Sequence, residues 1–74
     1  MTQRIKVGEI IRHVSALTGV PAEIITGSSR QQHHVRARRM VMRRARAEGW
    51  GYSHIGRCLN RDHTTVIHAC RAKQ

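Results

Sequence analysis

The sequence predicts an all-α domain, a small bundle of about five helices whose last two form a helix-turn-helix. Three observations carry that prediction. Apolar residues recur at helical spacing in successive stretches of the chain. Glycine, proline and short polar clusters divide those stretches. The last third, from Tyr52 to Lys73, reads as two short helices joined by a tight polar turn.

In chain order, the stretch 1–6 is polar and is expected to fray. From about Val7, the residues Ile10, Ile11, Val14 and Leu17 make one apolar helical stripe. Thr18-Gly19 stops it, because Gly19 is free to take the left-handed conformation. Pro21 opens a short helix in its first turn, where a missing N–H costs little. Ile24 and Ile25 anchor that helix, and Thr26-Gly27-Ser28-Ser29 ends it. From Gln31 to Glu48 comes the longest helix, rich in arginine. Arg36, Arg39, Arg43 and Arg46 share one side, with Ala37, Val41 and Ala45 opposite and Met40 nearby. Arg38 and Arg44 lie toward the apolar side and snorkel from its margin. Gly49-Trp50-Gly51 breaks the helix, with Trp50 as a packing anchor between the long helix and the helix-turn-helix.

The first of the two final helices is read from Ser53, a suitable N-cap, to Leu59. Asn60-Arg61-Asp62 is turn material. Asp62 caps the second helix by accepting from the N–H of Thr64 or Thr65. Val66, Ala69 and Cys70 then pack on Ile55 and Leu59. Arg61, His63, Thr64 and Thr65 point outward at the start of the second helix, the position that enters the major groove in this motif.

Seventy-four residues make one domain, 1–74, with a core that only just sustains a fold. Fourteen Lys and Arg face four acids, giving a net charge of +10. Such a surface attracts polyanions. Double-stranded DNA is the leading partner and an anionic membrane surface the competitor. The chain has no long apolar run and no signal-like start, so it reads as cytoplasmic, on the nucleoid rather than a membrane. Trp50 and Tyr52 are the only large aromatics, which argues against single-strand stacking platforms. No glycine-rich Lys-Ser/Thr loop is present to hold a nucleotide. Cys58 and Cys70 match no standard zinc spacing and read as small core thiols. Adjacent residues on a helix point apart, so His33-His34 makes a poor metal or pH sensor. His13 and His54 read as surface or packed histidines. No carboxylate pair, nucleophile–base pair or metal triad appears. The chain therefore reads as a non-enzyme without cofactor or metal.

The chemistry sits at the second helix. His63 can donate to or accept from a base edge, and the Thr64 methyl can rest on a thymine methyl. Asp62 either accepts from a cytosine amino group or only caps the helix; both readings stand. His68, one turn on, can reach a phosphate. The arginine side of the long helix carries no acid until Glu48, unlike a merely solvated face, which mixes signs. Arg36, Arg39, Arg43 and Arg46 are therefore read as phosphate contacts.

Arg61-Asp62-His63-Thr64-Thr65-Val66, followed by His68-Ala69, resembles the signature of the C-terminal DNA-binding domain (domain IV) of the bacterial replication initiator DnaA. Upstream, Val20 to Ile25 looks like that domain's short second helix, and Ala37 to Met42 like its long third one. The resemblance implies a Trp-repressor-like fold and sequence-specific binding of duplex DNA. It implies Asp62, His63 and Thr64 as base readers, Arg61 and Thr65 as phosphate clamps, and Arg30 as an insertion into the minor groove. With no glycine-rich phosphate loop in the sequence, the initiator's ATPase half is expected to be absent. Asn60 stands where the family has glycine, and Gln31, Gln32, His33 and His34 where it is basic, so the target is expected to differ from the family's origin box. The function expected is a small regulator of transcription or replication, phage- or prophage-borne, acting as a monomer or weak dimer on DNA. The alternatives are a nonspecific architectural binder and a basic adaptor for a protein partner.

Overall fold

The computed structural model describes residues 4–71. Five helices run through them: α1 (Val7–Thr18), α2 (Ala22–Ile25), α3 (Gln32–Ala47), α4 (Tyr52–Cys58) and α5 (His63–Arg71). Among the described residues there is no strand, as the sequence predicts. Lys73, the expected end of the last helix, lies outside them.

Helix α1 buries Val7, Ile10, Ile11 and Val14. Leu17, expected in that stripe, is instead 58% exposed. It sits about 70° from the centre of the buried arc at ~100° per residue, in the last turn. Gly19 ends the helix at φ 76°, donating its N–H to Ser15. Pro21 stands just before α2 rather than in its first turn; its carbonyl accepts from Ile24 and Ile25. Ile25 is fully buried, whereas Ile24 is only partly so.

Helix α3 is the spine, in contact with each of the other four. Ala37, Val41 and Ala45 are buried as expected, but the buried arc turns toward Met42. Met40 lies outside it, 37% exposed. The helix closes at Gly49, φ 98°, with Gly49 N–H on the Arg46 carbonyl and Trp50 N–H on Ala45. That paired closure leaves a left-handed glycine just past the end. Trp50 packs against the core, stacks on His54 and donates to the Ile5 carbonyl at 2.8 Å. Arg4 lies over the same ring and bonds the Gly49 carbonyl, while Glu48 accepts from Ile5 N–H. The expected fraying of 1–6 therefore does not extend to Arg4 and Ile5, which are tied to this turn. Residues 1–3 lie outside the described part.

Helix α4 begins at Tyr52, with Gly51 in the cap position. Ser53 is not the N-cap, because the Gly51 carbonyl already accepts from Ile55 and sets the helix start ahead of it. Ile55, Leu59 and Val66 are fully buried and Ala69 nearly so, which joins α4 to α5. Full burial of one such aliphatic side chain is worth roughly 1.5–3 kcal/mol.

Candidate nucleic-acid interface

The turn between α4 and α5 is set by two residues. Asn60 takes φ 55°, the left-handed conformation for which glycine is the usual residue. Asparagine tolerates it, so the departure at this position leaves the turn intact. Arg61 N–H reaches back to the Gly56 carbonyl at 2.8 Å and Asn60 N–H to Arg57, closing α4. Gly56 is the second device. A Cβ there would lie 2.6 Å from the Arg61 carbonyl oxygen. Sequence reading missed Gly56; a glycine inside so short an apolar helix was the available signal.

Beyond the turn, α5 starts with its polar tip in solvent. Asp62, His63, Thr64 and Thr65 are all exposed. Asp62 accepts from Thr64 N–H at 3.2 Å, the expected cap, and its other neighbour is His63 Nδ1 at 3.0 Å. The Thr64 backbone N–H above all holds the Asp62 carboxyl below the usual carboxylate range; desolvation opposes it, and the Thr64 side chain, the nearby His63 ring and the His63 N–H add to the lowering. His68 is exposed one turn further along.

The arginines divide in a way that periodicity did not show. Arg36 and Arg39 are exposed on α3 and Arg30 on the loop before it, and none donates to another group among the described residues. Arg43 instead donates to the Ala69 carbonyl near the end of α5, and Arg46 to the Trp50 carbonyl while lying over the Tyr52 ring. Arg61 is half-buried and donates to the carbonyls of Gly27, Leu59 and Asn60. Arg44 is exposed at the margin.

Arg38 departs furthest from expectation. It does not snorkel; it is 5% exposed, inside the core. Its guanidinium donates to the carbonyls of Ile25, Ile24, Ser29 and Gly27. A short helix ends with unsatisfied carbonyls, and a planar fork of donors fits several at once. Burial, and then the charge of Arg61, lower the Arg38 pKa.

An open cleft of about 390 Å³ lies between the α2–α3 loop, α3 and α5. Arg30, Arg39, Arg61, Thr65 and His68 are on its walls. It is basic, opens beside the α5 tip and lies on the same side of the molecule as Arg39.

The remaining titratable groups add little. His34 Nδ1 lies 2.7 Å from Ser29 Oγ. Desolvation, then His33 and Arg38, push its imidazole down. Cys58 lies 3.8 Å from His54, and the Cys70 thiol faces the Met42 carbonyl. No group of three or more metal-ligating side chains occurs among the described residues. No described helix is long and apolar enough to cross a membrane.

Compared with known proteins, the chain matches a family described as the bacterial dnaA protein helix-turn-helix, over residues 7–72. No curated protein and no solved structure matches it.

Proposed function

The chain belongs to the bacterial DnaA helix-turn-helix family, a DNA-binding family, and on that premise we propose that it reads duplex DNA by sequence. The α5 tip enters the major groove. His63 and Thr64 meet base edges there, with Asp62 accepting from a cytosine amino group through the lone pairs its cap leaves over. Thr65 meets a flanking phosphate, and Arg36 and Arg39 hold the next stretch of backbone, while Arg61, expected there as a second clamp, already donates to three backbone carbonyls and adds mainly its charge. Arg30 enters the adjacent minor groove from its loop. Arg43 and Arg46, each already joined to a backbone carbonyl, contribute mainly through their charge. The protein acts as a small regulator of transcription or replication on the nucleoid, alone or as a weak dimer.

The observation that carries this reading is the exposed, capped tip: Asp62, His63 and Thr64 stand in solvent, and the Asp62 carboxylate accepts from the Thr64 N–H. A protein that held DNA by charge alone would gain nothing from an exposed acid among its arginines beyond the cap it makes. Its arginines would also face outward, yet Arg38 and Arg61 turn toward carbonyls.

Selection of bound duplexes from a random pool tests the reading. A single preferred motif is expected. His63→Ala or Thr64→Ala should then lower discrimination between that motif and a one-base variant by roughly 1–3 kcal/mol. Equal loss on all sequences would leave a nonspecific binder.

A further inference from the structure

Arg38 is the one charged residue among the described residues that is buried in the core. Taking a guanidinium out of water is costly, and the end of a four-residue helix needs no such partner when water can serve it. What Arg38 accomplishes is wider than a cap. Its Nε bonds the Ile25 carbonyl at 2.7 Å and its Nη2 the Ile24 carbonyl at 3.1 Å, at the end of α2. The same guanidinium reaches Ser29 and Gly27, each at 3.2 Å, in the loop after α2. The helix-turn-helix grips the same loop. Arg61 Nη2 donates to Gly27, and Asn60 Nδ2 to the Thr26 carbonyl at 3.4 Å. Two arginines from different elements thus converge on one carbonyl, that of Gly27. The next residues of the loop carry Arg30, exposed on one wall of the cleft, with Thr65 and His68 of α5 on another.

We propose that Arg38 is a positioning residue for DNA recognition: through the carbonyls of Gly27 and Ser29 it fixes the reach of Arg30 relative to the α5 tip. Loop and reading helix then engage one duplex in a set register. Arg38 touches no DNA. The inference rests on the duplex-reading function proposed above and adds to it the residue that links its two contact regions.

A double-mutant cycle on duplex affinity tests it, using Arg30→Ala, Arg38→Lys and both together. Lysine keeps the charge but offers one nitrogen where the four carbonyls are met by three. Arg30→Ala is expected to cost about tenfold in the wild-type background, the size of a single good base-region contact. In the Arg38→Lys background the same change should cost less than about twofold, because the loop no longer delivers Arg30. His63→Ala should cost the same in both backgrounds, since the tip is held by Gly56 and Asp62. A purely structural Arg38 would lower every affinity and leave the cost of Arg30→Ala unchanged, which overturns the proposal. No cost in the wild type overturns it too. Should Arg38→Lys lose its helical circular dichroism, the wild type still decides. The guanidinium resonances of Arg38 should stay fixed on addition of duplex while those of Arg30 move; movement of Arg38 like a phosphate contact is the contrary result. A wild-type domain with no preference among duplexes sinks the functional reading and this inference together. A selective domain without the coupling sinks this inference alone.

Discussion

The tip of α5 and the outer face of α3 are built on opposite physical terms. At the tip, side chains are short and charge is small: the Asp62 carboxylate accepts from the Thr64 N–H and faces His63, which sets its direction. On α3, charge is large and direction is loose: Arg36 and Arg39 stand in solvent on long side chains. Discrimination between bases needs donors and acceptors held in place, whereas attraction to phosphate needs only charge near the backbone. In the proposed reading the two requirements fall to different helices. Between those extremes lie Arg38, Arg43, Arg46 and Arg61, whose N–H groups join element to element. In this chain a count of arginines overstates the number of guanidinium groups left for an outside partner.

The largest expected effect comes from disturbing the fixed region at its base. In Gly56→Ala the new Cβ would sit 2.6 Å from the backbone oxygen of Arg61, and that turn has no flexible side chain to give way. Alanine gains about 1 kcal/mol of helix propensity. Overpacking against backbone costs more, so a net loss of about 2 kcal/mol is expected. That is a large share of the few kcal/mol that hold a domain of this size. Denaturant unfolding measures it. Duplex affinity should fall on every sequence, because the whole tip is displaced from the α3 face. Unchanged stability would mean that the turn has room and that Gly56 does not set it.

Much of this contrast was legible in the residues. The five helices follow from apolar spacing and from Gly19, Gly49 and the Asn60-Arg61-Asp62 turn, which the structure uses as stops. The Asp62 cap follows from residue type and offset alone. What escaped is tertiary. Helical geometry places Arg38 toward the apolar side, but only the approach of α2 and its loop decides whether that side chain turns out or in. The same approach buries Met42 and leaves Met40 outside. Arg4 and Ile5 look like a frayed start until Trp50 and Glu48 are seen to lie beside them. Leu17 fits the stripe by interval but lies past the point where another helix covers it.

A middle-sized effect separates the loose region from the fixed one. Arg36→Ala with Arg39→Ala should weaken binding to preferred and unrelated duplexes alike. Each phosphate contact removed lowers the slope of log affinity against log salt by about 0.9, so the pair should lower it by nearly two. The ratio of preferred to unrelated duplex should stay constant, since neither side chain touches the tip. Affinity titrated over a range of salt reads both quantities. An unchanged slope would remove the α3 face from the interface, and a changed ratio would show that it also reads bases.

The smallest effect probes the tip from the acid side. The Asp62 carboxyl is held below its ordinary range in the folded domain, chiefly by the Thr64 N–H. Its contribution to stability is therefore complete above the ordinary aspartate pKa and is lost as pH falls through the lowered one. An asparagine side chain caps equally well but does not titrate, so Asp62→Asn isolates the ionisation. The melting temperatures of the two proteins should run parallel at neutral pH, and the wild type should lose ground to the variant only in acid. The shift is small because Asp62 is exposed and water screens it. A parallel course into acid would show that the carboxylate charge does not hold the tip. The fixed geometry that distinguishes it from α3 would then rest on the turn at Gly56 and Asn60 alone.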